Sequence, residues 1–113
     1  MKIYYNPKCS KCRIAKRFLE ENGEEAEIIE YLKDTPTSAE LKEILSKLGM
    51  RAEEIVRKKE EKWQEFSGEK YTEDELVNIL VNNPVLIQRP IIVKGDNAVV
   101  GRSEEKLKEI VGE

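Results

Sequence analysis

Apolar residues change their spacing along the chain in a way that separates strands from helices. Ile3, Tyr4 and Tyr5 form a short β-branched and aromatic run that stops at Asn6-Pro7, the pattern of a first strand ending in a turn. From Ser10 onward, Ile14, Ala15, Phe18 and Leu19 recur at helical spacing, which predicts one buried face, and Asn22-Gly23 supplies a stop. Ala26 to Leu32, carrying Ile28, Ile29 and Tyr31, predicts a second strand. Strand, helix and strand in about thirty residues make a βαβ unit, with parallel strands and a right-handed crossover.

The middle of the chain reads as helical. Thr37 and Glu40 have capping-box spacing, and Leu41, Ile44, Leu45 and Leu48 form an apolar stripe that ends at Gly49. Arg51 to Lys59 predicts a shorter helix around Ile55 and Val56, and Glu60 to Lys70, rich in charge, predicts a loop or irregular helix. Thr72 and Glu75 repeat the capping box ahead of Leu76, Val77, Ile79, Leu80 and Val81, which run up to Asn82-Asn83-Pro84. Beyond Pro84, Ile91-Ile92-Val93 and Ala98-Val99-Val100 flank Gly95-Asp96-Asn97 and predict a hairpin. Ser103 caps a final helix whose buried stripe is Leu107, Ile110 and Val111.

The order βαβ, helices, ββα predicts an α/β protein of thioredoxin-like fold, with a four-stranded mixed sheet and a helical insertion at roughly residues 37–83. The length of 113 residues fits one domain, residues 1–113. Charged residues make up 38%, but 20 Lys and Arg against 23 Asp and Glu leave a net charge of only −3. That balance describes a solvated, ion-paired surface and lacks the basic excess of a nucleic-acid binder. No stretch approaches the roughly 20 apolar residues of a membrane span, and the N-terminus has no signal-peptide h-region. The expectation is a cytoplasmic monomer with no nucleic-acid or membrane partner.

In a reducing compartment a close cysteine pair is seldom a structural disulfide, so Cys9-Ser10-Lys11-Cys12 stands out. It falls where the first strand gives way to the first helix. The partial positive charge and open N–H groups of a helix start favour a thiolate, and Lys8, Lys11 and Arg13 push the same way. Cys9 is therefore the candidate nucleophile, and Cys12, one turn further in and less exposed, the candidate resolving thiol. Zinc binding would need four ligands, and the chain has no other cysteine and no histidine. Two inert buried cysteines are the remaining alternative.

The amides that favour a thiolate also hold an oxyanion, which directs attention to cations elsewhere. Arg57 follows Ile55-Val56, Arg102 follows Gly101, and Arg89 lies in an apolar run beside Pro90, where a charge needs a partner or a ligand. Together, Tyr5-Asn6-Pro7-Lys8-Cys9 with Arg13, Ile55-Val56-Arg57-Lys58, Asn83 to Val93, and Gly101-Arg102-Ser103 resemble the glutaredoxin-coupled arsenate reductase family over nearly the whole chain.

The resemblance implies that Cys9 attacks arsenate while Arg57, Arg89 and Arg102 hold the oxyanion. It implies a cis peptide before Pro90. No bound cofactor or metal is implied; glutathione, glutaredoxin or thioredoxin would serve as external reductant. Where family reductases often carry a histidine this chain has Tyr5, and they commonly lack Cys12, so a self-contained Cys9 to Cys12 disulfide becomes available here. Two other functions share these features. Spx-type regulators, which bind RNA polymerase, also resemble the chain and carry the cysteine pair, but lack an arginine matching Arg102. A general dithiol oxidoreductase would need only the two thiols.

Overall fold

A computed structural model describes residues 1–112; Glu113, the last residue of the expected domain, lies outside the described residues. The contacts divide the chain into two compact units, one made of residues 1–34 with the chain from Arg89 onward, the other of Thr35–Gln88.

The first unit holds the thioredoxin-like sheet. In chain order its elements are β1 (Lys2–Tyr4), α1 (Ser10–Glu21), β2 (Glu27–Ile29), β3 (Ile91–Lys94), β4 (Asn97–Val100) and a C-terminal helix (Glu104–Val111). The strand order is β2-β1-β3-β4. β1 runs parallel to β2, with Ile3 opposite Ile28, and antiparallel to β3, with Ile3 also opposite Ile92. The mixed sheet thus arises from one crossover helix and one hairpin, as the apolar spacing predicts. Gly95 opens the two-residue hairpin turn at φ +60°, a conformation that mirror-image turns require and side chains resist.

Ile3, Ile92 and Val99 from the strands meet Ala15 and Leu19 of α1 and Leu107 and Ile110 of the last helix in one apolar core. Burial on this scale stabilises by about 1.5–3 kcal/mol per large aliphatic side chain. The Ser103 hydroxyl accepts from the Lys106 N–H, so the C-terminal helix begins where its cap predicts. Ile14 departs from the expected stripe. It is 56% exposed, because the buried face of α1 runs through Cys12, Ala15 and Leu19, one position away. The second strand is also shorter than Ala26 to Leu32: Ile28 and Leu32 are exposed, while Tyr31 is buried beyond the strand's end. The peptide bond between Arg89 and Pro90 is cis.

The second unit contains α2 (Ser38–Leu48) and α3 (Glu73–Asn82), packed against each other. We number the C-terminal helix α4 accordingly. Both capping boxes form: Thr37 with Glu40, and Thr72 with Glu75, each pair exchanging side-chain and backbone hydrogen bonds. Gly49 closes α2 at φ +67°, in the left-handed region where a side chain would be strained. The expected helix over Arg51 to Lys59 reduces to a 3-10 turn at Ala52–Ile55. Val56 instead pairs as an isolated β-bridge with Ile87, and the Arg57 N–H donates to the Leu86 carbonyl at 2.7 Å, which draws the backbone out of helix. Glu61–Glu65 forms another 3-10 turn within the stretch expected to be irregular. Among the described residues no helix is long and apolar enough to cross a membrane.

Candidate active site

Asn6 and Pro7 end the first strand's run, and Asn6 shapes the turn that leads into α1. Its Oδ1 accepts from the Lys8 N–H at 3.0 Å, and its carbonyl accepts from the Cys9 N–H at 3.0 Å. The resulting tight turn delivers Cys9 as the N-cap of α1, in extended conformation at φ −94°. The first turn of α1 carries no acidic residue to cancel its positive end. Arg13 closes the turn, its Nη1 donating to the Pro7 carbonyl at 2.8 Å.

The two sulfurs have opposite acidities. Burial pushes Cys9 up, but the Arg89 guanidinium, the Cys12 backbone N–H and the Cys12 thiol hydrogen-bond the sulfur and Arg89 adds its charge; together they bring it from 9.0 down to about 7. Burial pushes Cys12 up too, and there it prevails, to about 12; the Asn6 backbone opposes this, and the neighbouring Cys9 adds to it. Cys9 is 6% exposed and Cys12 fully buried, so the outer thiol is the more acidic one. Both are free cysteines. The cation acting on Cys9 is Arg89, whereas the sequence points to Lys8, Lys11 and Arg13. Lys8 and Lys11 are exposed, and Arg13 turns to Pro7.

Arg89 is held from behind. The Arg102 Nη1 donates to its carbonyl at 2.7 Å, and the Gly101 N–H donates to the carbonyl of Pro90 at 2.9 Å. Gly101 is buried in close contact here: a Cβ on it would lie 2.8 Å from Ile92 Cδ1 and 3.0 Å from Leu107 Cδ2. The guanidinium lies near enough to Cys9 to act on its sulfur, and its Nε and Nη1 are buried with no hydrogen-bond partner among the described residues. Buried donors of a permanent cation are costly to leave unpaired, so this pair is set to receive an acceptor.

The first unit therefore brings together Cys9, Cys12, Arg89 and Arg102, with Arg13 bracing the turn. Arg57 belongs to the second unit, where its Nη2 pairs with Glu60 at 3.2 Å and its Nη1 donates to the Val85 carbonyl at 3.2 Å. Two contributors are not singled out by the sequence. Asn6 reads there as a mere strand terminator, and Tyr31 as one more strand residue, although it is 2% exposed and near enough to Arg89 and both sulfurs to feel their charges. A lone aromatic just past a strand carries no signal in sequence that would mark it.

A mixed sheet with an acidic cysteine at the start of its first helix and an arginine aimed at the sulfur defines a thioredoxin-like thiol protein. The chain belongs to the ArsC family, the arsenate reductase family, whose sequence pattern matches residues 4–110. It is 41% identical over 115 residues to the uncharacterized protein YfgD of Escherichia coli (strain K12), covering 99% of this chain and 97% of the other. It is 36% identical over 114 residues to an arsenate reductase of Neisseria meningitidis, covering 98% and 97% of the two chains. Among solved structures, an arsenate reductase from Vibrio cholerae superposes with a TM-score of 0.91 at 36% identity, covering 97% of this chain and 98% of that one.

Proposed function

We propose that the protein is a thiol-dependent oxidoreductase that reduces arsenate, with Cys9 as nucleophile and Cys12 as resolving thiol. The observation that carries this reading is the pair of unpartnered buried donors on Arg89 beside the acidic sulfur. A tetrahedral oxyanion supplies the acceptors those donors lack, and the guanidinium offsets the charge that builds as a thiolate meets an anion. The fully buried thiol of Cys12, hydrogen-bonded to Cys9, supports the second step.

In the first step the Cys9 thiolate forms an S–As bond and one arsenate oxygen, protonated, leaves as water. In the second, a thiol attacks the Cys9 sulfur. The S–As bond breaks, its electron pair goes to arsenic, and arsenite leaves as a disulfide forms. With Cys12 as the attacking thiol the product is an internal Cys9–Cys12 disulfide, which glutaredoxin or thioredoxin reduces by exchange; with glutathione it is a mixed disulfide. Arg102 holds the Arg89 turn and adds positive charge, and Arg57 is a third anion contact on the strength of its family motif.

Purified protein supplied with NADPH and a thioredoxin or glutaredoxin system should oxidise NADPH only when arsenate is present, and Cys9→Ser should abolish this. Retained turnover in Cys12→Ser only when glutathione is supplied would assign the second step to glutathione in that variant. NADPH oxidation that ignores arsenate while a protein disulfide is still reduced would replace this reading with a general dithiol oxidoreductase, the function that the thiol pair alone would support.

A further inference from the structure

α1 is charged against its own dipole. Its cations, Lys11, Arg13, Lys16 and Arg17, all precede its acids, Glu20 and Glu21, so positive side chains crowd the positive end. The other α-helices among the described residues do the reverse: α2, α3 and α4 each have acidic residues in the first turn, and α2 and α4 carry a lysine in the last. A placement that works against the helix needs another cause. Ionising Cys9 is not that cause, because the cation acting on its sulfur is Arg89. Local pairing accounts for part of it: Lys16 reaches Glu20 at 3.3 Å, and Arg13 donates to the Pro7 carbonyl. Lys8, Lys11 and Arg17 enter no ion pair among the described residues.

Ser10, Arg13, Ile14 and Arg17 recur at helical spacing and are all exposed, so they form one solvent-facing stripe that starts beside Cys9. Lys8 and Lys11, also exposed, adjoin its start, and Ile14 stands more than half exposed within it. A small oxyanion gains from such charges but nothing from an isoleucine; a protein surface gains from both. Cys12 is fully buried and Cys9 is 6% exposed, so Cys9 is the sulfur that an outside thiol can reach. A protein whose thiol reaches it must cover the residues around the start of α1.

We propose that this stripe, with Lys8 and Lys11, is the docking surface for the protein that regenerates the reduced thiols, a dithiol reductase with acidic residues around its own thiols and an apolar contact for Ile14. The proposal rests on the reading that turnover leaves a Cys9–Cys12 disulfide. The whole chain carries −3, so an acidic partner is repelled elsewhere and drawn here, which orients the encounter. The partner's thiolate attacks the Cys9 sulfur; the Cys9–Cys12 bond breaks, and Cys12 leaves with the electron pair and takes up a proton. The partner's second thiol, losing its proton to solvent, then attacks the partner's own sulfur in the mixed disulfide, and Cys9 leaves as thiolate. The partner ends as a disulfide, and Cys9 and Cys12 end reduced.

The test uses protein oxidised with diamide and mixed, without arsenate, with a reduced thioredoxin of acidic surface; acid quenching and mass spectrometry give the rate. The variants are Lys8→Gln, Lys11→Gln and Arg17→Gln combined, and Ile14→Ser alone. The triple variant should react about tenfold more slowly at low salt, within the range of electrostatic steering, and the gap should close by about 0.5 M salt, where exposed charges are screened. Ile14→Ser should react roughly threefold to tenfold more slowly at every salt concentration, the effect of one apolar contact. Dithiothreitol, small and uncharged, should reduce wild type and both variants at one rate. Thioredoxin rates equal to wild type in the variants, an equal loss with dithiothreitol, or oxidised protein without a Cys9–Cys12 disulfide would overturn the proposal. So would a triple variant that keeps its thioredoxin rate but consumes arsenate more slowly in a single turnover, or loses binding to duplex DNA; the charges would then serve the oxyanion or a nucleic acid. The expected losses with thioredoxin in a protein that turns over no arsenate would uphold the surface and sink the substrate assignment.

Discussion

Replacing Arg89 with Gln removes both the charge and the guanidinium hydrogen bond that hold Cys9 at about 7, leaving burial, the largest influence on that sulfur, opposed only by Cys12. If the midpoint returns to the ordinary 9.0, the thiolate fraction at pH 7 falls from about one half to about one hundredth. The less acidic thiolate is the better nucleophile. With a Brønsted slope of about 0.4–0.5, two pH units give back roughly eightfold in intrinsic rate. Alkylation of Cys9 by iodoacetamide at pH 7 should therefore slow about sixfold relative to wild type. At pH 10, where Cys9 is largely ionised in wild type and variant alike, the variant should be the faster one by about the same intrinsic factor. The two rate profiles must cross. Stopped-flow alkylation, with the modified cysteine located by peptide mass spectrometry, reads this directly. Profiles that stay parallel, or a variant midpoint still near 7, would show that the helix start and Cys12 ionise the thiol without Arg89.

Gly101→Ala should destabilise the fold by about 1–3 kcal/mol through overpacking against Ile92 and Leu107, lowering Tm by roughly 4–12 °C in calorimetry; an unchanged Tm would show that the contact yields freely. Arg89→Ala should leave Tm nearly unchanged while arsenate KM rises sharply, and unchanged KM and kcat would remove Arg89 from the site. The cysteine pair also affects stability. Cys9 is depressed in the folded state, so its contribution is present above its unfolded value of 9.0 and is lost as pH falls through about 7. Cys12 is raised, so the folded state is penalised as pH climbs from 9.0 toward 12. The difference in unfolding free energy between wild type and the Cys9→Ser, Cys12→Ser double variant should therefore grow from pH 7 to 9 and shrink above it; a flat difference across denaturant melts at those pH values would refute the paired shifts.

The elements that are plain in the sequence are those with local causes. Both Thr capping boxes, the Ser103 cap, the Gly95 turn and the hairpin depend on residues within a few positions of one another. Ile14 and the short second strand depart from their apolar pattern because a residue at the right spacing is not obliged to face the core, and the buried face of α1 is set by Cys12, which signals chemistry in the sequence and not packing. The Arg51 to Lys59 segment fails as a helix for a nonlocal reason: Val56 and Arg57 find backbone partners at Ile87 and Leu86, about thirty residues away in sequence. The site divides the same way. Cys9 at a helix start is legible from position alone, and Arg89 from its charge in an apolar run. That Arg89, and not the adjacent Lys8, Lys11 or Arg13, is the cation on the sulfur depends on the pairing of β1 with β3. Tyr31 needs the same three-dimensional closure.

The central claim is that one sulfur is ionised near neutral pH while its partner three residues on keeps its proton. Carbon-13 labelling at cysteine Cβ resolves the two thiols in a single NMR titration of the reduced protein. The account predicts a Cys9 resonance that moves with a midpoint near 7 and a Cys12 resonance that does not move below pH 10. Two resonances titrating together near 9 would contradict it.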